Sequence, residues 1–263
     1  MALPFGLPLG LQLYSVREEL PQDYQGTLDK VAALGYRDME AAGYYGHTAA
    51  EVKAAMTKAG LRCVSGHYSS DKLTTDLDSI IEFHKTLGAH YIICSYPGHK
   101  KTPAQGAQHA FSVEDWHWNA ENFNKWGAKV KAAGMQFGYH NHTPEFVAVD
   151  GMMPYDELMK LTKPGLVTFE MDCGWVVVGG GDPAALLKKY PTRISLLHVK
   201  DFQQNVNPPH AAQLGQGRID YAKIFAAARP GAIKHYFVEQ EEFDIPWQQA
   251  LKIDADYLRS IKG

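Results

Sequence analysis

Histidine and carboxylate side chains recur at the ends of short apolar runs in this chain of 263 residues. The positions concerned are Glu40, His67, 139–142, 170–172, 198–201 and 239–241. Imidazole and carboxylate ligands together suit Mn, Zn, Co or Fe, whereas a site without imidazole would indicate Mg or Ca. If the runs end at one place in the fold, these side chains predict a site for a divalent metal ion.

The apolar runs themselves predict strands, because they are short and alternate with longer amphipathic segments. We predict eight strands, at 11–15, 38–41, 63–67, 91–94, 136–140, 167–171, 194–198 and 236–239. Helical spacing is clear in the segment after the first strand, where Tyr24, Leu28, Val31 and Ala32 form one apolar stripe.

Glycines recur where the helices are expected to end, two or three residues before the next strand. They are Gly35, Gly60, Gly88 and Gly134. Glycine at such a position can adopt the left-handed conformation that closes a helix. Strands separated by helices indicate βαβ units and a parallel sheet.

Eight such units predict a single (β/α)8 TIM barrel that spans residues 1–263, since barrels of this kind have about 250 residues. The alternative is an open doubly wound sheet, but no Gly-x-Gly-x-x-Gly follows the first strand. In a barrel, the C-terminal ends of all strands meet at one rim and build the active site there. The polar side chains listed above would then lie together.

The composition argues against several classes of protein. With 26 basic and 29 acidic side chains, the formal net charge is -3, which gives no basic surface for nucleic acid. No stretch approaches the roughly 20 apolar residues of a membrane helix, and the longest β-rich run, 175–178, stops at the glycine triplet 179–181. The start of the chain lacks the features of a signal peptide. We expect a cytoplasmic protein without a membrane partner, and leave open the export of a longer precursor.

The three cysteines, Cys63, Cys94 and Cys173, are odd in number and widely spaced. Disulfide frameworks belong to short secreted chains, and a free cysteine behaves as a small apolar side chain. We therefore predict three buried free thiols.

Four segments together resemble the xylose isomerase-like barrel superfamily, specifically its sugar phosphate isomerase/epimerase branch. They are Phe-Glu-Met-Asp at 169–172, Leu-Leu-His-Val-Lys-Asp at 196–201, Leu-Gly-Gln-Gly-Arg-Ile-Asp at 214–220 and Phe-Val-Glu-Gln at 237–240. The resemblance covers nearly the whole chain. It implies an enzyme that acts on a small sugar or keto-sugar, and homo-oligomers are common in this family.

The resemblance also implies one divalent metal ion, most commonly Mn, with Zn, Co, Fe or Mg as alternatives. Asp172, His198 and Glu239 match three of the family's four metal ligands. The fourth, a glutamate on the fifth strand, is replaced here by His140, and the nearest carboxylate is Glu145. We favour Glu145 as the fourth ligand, because Tyr-His-Asn-His-x-x-Glu-Phe at 139–146 resembles a sub-branch that acts on keto-sugars and keto-cyclitols.

The expected chemistry is proton abstraction next to a carbonyl through an enediolate, which gives isomerisation or epimerisation of a sugar. The alternative is elimination from the same intermediate, in a metal-dependent dehydratase or lyase on a keto-sugar, keto-glycoside or keto-cyclitol. The predicted acid and base residues are His140, His142, Lys200 and Glu239. A histidine suits this role because its ordinary pKa lies near 6.5.

Two other functions were considered for the same barrel. A DNA-repair endonuclease would need three metal ions and a basic face, which the net charge of -3 argues against. A sugar-binding barrel without a metal ion is disfavoured by the intact set of Asp172, His198 and Glu239.

Two loop segments carry further expectations. The insertion 96–112, with His99, Lys100, Lys101 and His109, follows the fourth strand and is expected to act as a lid or substrate loop. The segment 215–218, Gly-Gln-Gly-Arg, could offer backbone amides and a guanidinium to a phosphate, although a simple loop is the favoured interpretation.

Overall fold

The computed structural model describes residues 3–101 and 110–261 of the chain. The strands within these residues are β1 (Gly10–Gln12), β2 (Asp38–Ala41), β3 (Arg62–Ser69), β4 (Tyr91–Tyr96), β5 (Gln136–His140), β6 (Val167–Asp172), β7 (Ile194–Val199), β8 (Asp201–Phe202), β9 (Ala211–Ala212) and β10 (His235–Val238). Strands β1 to β7 and β10 are parallel and close into a barrel, so the predicted TIM barrel is confirmed. Strands β8 and β9 form a separate antiparallel pair.

Helices connect the barrel strands on the outside. They are α1 (Tyr24–Ala33), α2 (Ala49–Ala59), α3 (Ser70–Leu87), α4 (Val113–Ala132), α5 (Pro154–Leu161), α6 (Cys173–Val178), α7 (Pro183–Lys189), α8 (Tyr221–Ala227) and α9 (Trp247–Ser260). In α1 the predicted stripe faces inward, since Leu28 and Val31 are fully buried. The four predicted helix-ending glycines all have positive φ, at Gly35, Gly60, Gly88 and Gly134.

The first and last barrel strands end earlier than predicted. Strand β1 stops at Gln12, and Leu13–Val16 forms a 3-10 helix. The side-chain oxygen of Gln12 accepts the backbone N–H of Tyr14 at 3.1 Å, which turns the chain out of the strand. Strand β10 ends at Val238, so Glu239 follows the strand instead of ending it.

The β-rich run 175–178 lies in helix α6. The helix forms because Asp172 Oδ1 accepts the backbone N–H of Trp175 at 2.8 Å and caps the first turn. The glycine triplet 179–181 consequently follows α6 and does not follow strand β6 directly. Gly180 has a φ of 83°, which glycine adopts without strain.

The barrel interior is layered, because residues two apart on a strand point to the same side of the sheet. An apolar layer consists of Val64, Tyr91, Ile93, Leu196 and Phe237. Gly138 belongs to this level, where a Cβ atom would come within 2.6 Å of Ile93 Cδ1. Two residues further along their chain segments, Leu196 is followed by His198, and Phe237 by Glu239. The polar side chains therefore rest on an apolar base.

The cysteines and the helices bear on two expectations drawn from the composition. Cys63, Cys94 and Cys173 are buried and free, as expected. In the part of the chain that the structure describes, no helix combines the length and apolar character needed to cross a membrane.

Candidate metal centre and active site

Three side chains at the rim bring potential metal ligands together, and we call Asp172, His198 and Glu239 the Asp172 group. Their ligand atoms all lie within 4.8 Å of one another, and all three residues are buried. His198 Nδ1 lies 3.0 Å from Glu239 Oε2 and 3.8 Å from Asp172 Oδ2. Two carboxylates and one imidazole are a donor set that binds divalent transition metals.

The local structure leaves one oxygen of Asp172 available to a ligand. Its Oδ1 caps helix α6, and Asn141 fixes its backbone by accepting the Asp172 N–H at 3.1 Å. Asp172 Oδ2 is buried and accepts no hydrogen bond, although Lys200 Nζ lies 3.2 Å away. An unsatisfied buried oxygen is costly in the absence of a cation, so this residue fits a metal ligand. Burial raises the pKa of Asp172 to about 6.

A second set of polar side chains lies around the other side of His198, and we call Glu40, His67, His140 and Glu170 the Glu170 layer. Glu170 Oε2 is 2.7 Å from His67 Nε2 and 3.1 Å from His140 Nδ1. Glu40 Oε1 is 2.8 Å from His67 Nε2 and 2.6 Å from His198 Nε2. The layer is therefore continuous with the Asp172 group through the two ring nitrogens of His198.

The Glu170 layer carries strong electrostatic coupling. Burial opposes charge on His67, but the carboxylates of Glu40 and Glu170 outweigh it and raise the pKa of His67 to about 9. Burial alone would raise the pKa of Glu40, yet His67 and His198 hold it well below its ordinary value. His140 behaves in the opposite way, since burial and the neighbouring His198 lower its pKa well below 6.5.

Glu40, His67 and Glu170 were predicted only as members of the polar set at the strand ends, without individual roles. The signal for Glu170 was its spacing of two residues from Asp172, which puts both side chains on the same face of β6.

Lys200 is buried and surrounded by carboxylates. Its Nζ lies 2.7 Å from Glu239 Oε2 and 2.5 Å from Glu241 Oε1, in addition to the contact with Asp172. Burial opposes its charge, but Asp172, Glu239 and Glu241 raise the pKa of Lys200 above its ordinary value. Lys200 is accordingly a stable ammonium, which can donate a hydrogen bond to an oxygen and polarise it.

His142 is a half-buried imidazole at this rim. Its Nδ1 is buried and has no hydrogen-bond partner. Burial, assisted by the charge of Lys200, lowers the pKa of His142 to about 3. The ring is therefore neutral, and it is a weaker base than a histidine with the ordinary pKa of 6.5.

Glu145, predicted as the fourth metal ligand, is directed elsewhere. Its Oε1 accepts the hydroxyl of Tyr139, and its Oε2 accepts the backbone N–H of His142 at 3.0 Å. Burial raises the pKa of Glu145 to about 7. His140, the other candidate, has Nε2 at 3.9 Å from Asp172 Oδ2. Glu145 does not belong to the Asp172 group in this arrangement, and its ligation stays a prediction.

A cavity of about 390 Å³ opens over these residues. It is lined by Tyr14, Ala42, His67, Ser69, Ser95, Tyr96, His140, His142, Glu239 and Glu241. Its volume lies in the range of small-molecule sites. The cavity is polar and acidic, and it joins His142 to the Asp172 group through Glu239.

The loop after β9 does not offer its amides to a phosphate. The backbone N–H groups of Gly217, Arg218 and Ile219 donate to the carboxylate of Asp201 at 3.1, 2.9 and 3.1 Å, and that of Gly215 donates at 3.3 Å. The suggested phosphate site is therefore occupied by a side chain of the protein itself. The favoured interpretation of 215–218 as a structural loop agrees with these contacts.

Part of the predicted lid segment 96–112 lies within the described residues. Tyr96 lines the cavity, and His99 stacks on Phe111 with ring centroids 4.3 Å apart. Lys100 Nζ pairs with Glu114 at 2.5 Å. His109 lies outside the described residues, so the lid function stays a prediction.

Comparison with known proteins gives a consistent assignment. The model of the xylose isomerase-like TIM barrel family matches residues 28–261. An inosose dehydratase of Clostridium perfringens is 27% identical over 248 residues, which cover 84% of this chain and 83% of that protein. An inosose dehydratase of Bacillus cereus is 25% identical over 260 residues, which cover 87% of each. A solved sugar phosphate isomerase/epimerase from Parabacteroides distasonis is 30% identical with a TM-score of 0.81, over 97% of this chain and 99% of that one. The chain is therefore an enzyme of the xylose isomerase-like TIM barrel family, in its sugar phosphate isomerase/epimerase branch.

Proposed function

We propose that the chain is a divalent-metal-dependent lyase that removes water from a keto-cyclitol or keto-sugar. The carrying observation is that the imidazole of His142 and the carboxylate of Glu239 line one cavity, and that the buried ammonium of Lys200 lies 2.7 Å from that carboxylate. Elimination next to a carbonyl needs a base and an acid in one site. The names of the inosose dehydratase relatives support the same reaction class.

The first step of this proposal is removal of a proton from the carbon beside the carbonyl. His142 takes the proton, and the electron pair of the C–H bond becomes part of an enediolate. Its imidazole ring is neutral and lines the cavity in which the substrate would bind. His140 lies beside His142 and contacts Glu170 through Nδ1, so we assign it a positioning role.

The second step breaks a C–O bond at the next carbon. The enediolate electrons form a C=C bond, and the leaving hydroxyl receives a proton from Lys200 and departs as water. Glu241 contacts Lys200 and lines the cavity, which gives the returning proton a route from solvent. Without proton delivery, the same enediolate would be reprotonated on carbon, which is isomerisation or epimerisation.

The metal ion in this proposal is held by Asp172, His198 and Glu239. When bound, a divalent cation supplies Lewis-acid polarisation of the substrate carbonyl. We propose Mn, since mixed carboxylate and imidazole donors suit it. Because these donors do not select one divalent ion by charge, Zn, Co, Fe and Mg are the alternatives. Elemental analysis of the purified protein identifies the ion.

We further propose that the substrate carries no phosphate. The described residues lining the cavity include two carboxylates, Glu239 and Glu241, and the ammonium of the adjacent Lys200 is already paired with both of them and with Asp172. The amides of 215–219 that could bind an anion are taken by Asp201. A phosphorylated sugar would enter a cavity of its own sign of charge, which is unfavourable.

The test is incubation of the metal-loaded enzyme with inosose, free ketoses, 3-keto-glycosides and their phosphates in D2O. We expect deuterium exchange beside the carbonyl and loss of water from an unphosphorylated ketone, both followed by mass spectrometry. Exchange or epimerisation without loss of water would instead support the isomerase.

Two variants separate the steps. His142→Gln should lose exchange and elimination together, by about 10²–10⁴-fold. Lys200→Met should lose elimination and retain exchange. Lys160→Met is the matched control, because Lys160 is an exposed lysine of α5 that pairs with Glu157 away from the cavity. Equal loss of both reactions in Lys200→Met would contradict the assigned acid.

A further inference from the structure

The side chains around Glu170 form a second group with metal-ligand geometry. His67, His140, Glu170 and His198 come from β3, β5, β6 and β7. One ligand atom from each lies within 4.8 Å of all the others. Glu170 and His198 are fully buried, and His140 is 2% exposed.

The distances within this group fit a small cation. Glu170 Oε2 is 2.7 Å from His67 Nε2, 3.1 Å from His140 Nδ1 and 3.3 Å from His198 Nε2. Ligands about 2.1 Å from a tetrahedral zinc ion lie roughly 3.4 Å from one another. A modest rotation of the carboxylate would place an ion among these four residues.

An independent observation concerns the second oxygen of the same carboxylate. Glu170 Oε1 is buried and has no hydrogen-bond partner. Native proteins rarely leave such an atom unpaired, and an ion is one recognised explanation. Glu170 Oε1 is thus open to a ligand, while Oε2 faces the three imidazole rings.

We propose that His67, His140, Glu170 and His198 bind a second divalent cation, of the type that prefers imidazole. Three imidazoles and one carboxylate suit Zn²⁺ or Co²⁺ and do not suit Mg²⁺. This inference goes beyond the proposed function, which requires only the Asp172 group. His198 faces Asp172 and Glu239 through Nδ1, and Glu40 and Glu170 through Nε2. His198 would thus offer Nδ1 to an ion at the Asp172 group and Nε2 to an ion at the proposed site.

The competing interpretation is that these residues only support a single metal ion. Ligating histidines commonly donate their other N–H to a carboxylate, which orients the ring. Glu40 occupies such a position, with Oε1 at 2.6 Å from His198 Nε2. The two interpretations differ in the number of ions bound per chain.

The experiment is zinc loading of the full chain after removal of metal by a chelator, with stoichiometry measured by mass spectrometry of the elements. We expect about two zinc ions per chain in the wild type and about one in Glu170→Gln and in Asp172→Asn. Glu157→Gln, at an exposed pair on α5, is the matched control and should bind as the wild type does.

One zinc ion in the wild type that Glu170→Gln retains would overturn the second site. One zinc ion that Asp172→Asn retains and Glu170→Gln loses would support this site and instead contradict the metal site of the proposed function. If Glu170→Gln fails to fold, anomalous diffraction from zinc-soaked wild-type crystals decides. A peak among His67, His140 and Glu170 supports the proposal, and a peak at Asp172 alone overturns it.

Discussion

His198 connects all the polar groups of the site, because each ring nitrogen has a different carboxylate neighbour. Nδ1 faces Glu239, and Nε2 faces Glu40. The ring cannot rotate without breaking both contacts. Its fixed orientation follows from packing against His67, whose ring is stacked on it at 5.2 Å between centroids. The affinity of the Asp172 group for a metal ion therefore depends on Glu40 and His67, which hold the His198 ring in place.

Glu145 offers a prediction at the scale of one carboxylate. Because its oxygens face Tyr139 and the N–H of His142, we expect Glu145→Gln to weaken metal binding indirectly, by about 10–100-fold. Asp172→Asn should weaken it more, since Asp172 belongs to the Asp172 group. Competition titration against a chelator measures both affinities. Equal losses in the two variants would establish Glu145 as a direct ligand.

The individual residues were predictable from the sequence to different degrees. Asp172, His198 and Glu239 were found because they end strands and match a family motif, and the fold brings them together. Glu145 lies five residues beyond its strand, where the position of a side chain depends on how the loop turns. No strand periodicity applies to such a residue, so its contacts with Tyr139 and His142 required coordinates.

Helix α9 shows how an element holds a rim loop in place. Asp254 is buried on this helix, and its Oδ1 accepts the backbone N–H of Leu214 at 2.7 Å. This contact anchors the start of the loop whose later amides bind Asp201. The loop is thus fixed at two points by carboxylates from different elements.

Asp254 gives the protein a pH-dependent stability that can be measured. Burial raises its pKa to about 7, against an ordinary value of 3.8. Between these values the folded chain keeps a proton that the unfolded chain releases, so this residue's contribution to the free energy of unfolding falls as the pH rises. This contribution to the free energy of unfolding falls by at most about 1.4 kcal/mol per pH unit.

The variant Asp254→Asn cannot ionise, yet its side-chain oxygen can still accept the Leu214 N–H. Relative to the wild type, we expect it to gain stability on going from about pH 5 to about pH 8. Urea unfolding at both pH values provides the measurement. The same stability difference at both values would contradict the raised pKa.

The extent of the elements was predictable where local signals agreed. The helix ends at Gly60 and Gly88 needed only a left-handed residue, which glycine supplies. The valines of 175–178 favour a strand, but the cap from Asp172 starts a helix there. A side chain that is both a cap and a candidate ligand is hard to interpret from sequence.

The barrel is closed by one short strand, β1, which pairs with the last barrel strand, β10. β1 has three residues and pairs with β10 through Gly10 and Leu11. A Cβ atom at Gly10 would overlap the carbonyl oxygen of Tyr236 and lie 2.7 Å from Phe237 Cδ1. The position therefore requires glycine for space, although its φ is ordinary.

We expect Gly10→Ala to lower the free energy of unfolding by about 3 kcal/mol, because the backbone contact cannot relax without separating β1 from β10. Urea unfolding followed by tryptophan fluorescence and by circular dichroism provides the measurement. A loss below about 0.5 kcal/mol would mean that the seam between β1 and β10 adapts freely.

The fold as a whole was the most predictable level, because eight repeated units give the same signal many times. An error in one unit, such as the end of the first strand, left the topology unchanged. The site had no such redundancy, since each of its side chains occurs once.

Asp201 also bears on how enzymes of this family diverge. Its carboxylate fills a cradle of amides at 215–219, in the region where a barrel of this kind can hold a phosphate. The protein thus carries its own internal anion. A descendant that used phosphorylated sugars would not have to acquire a new loop, since loss of this one carboxylate would expose an anion-binding loop that already exists.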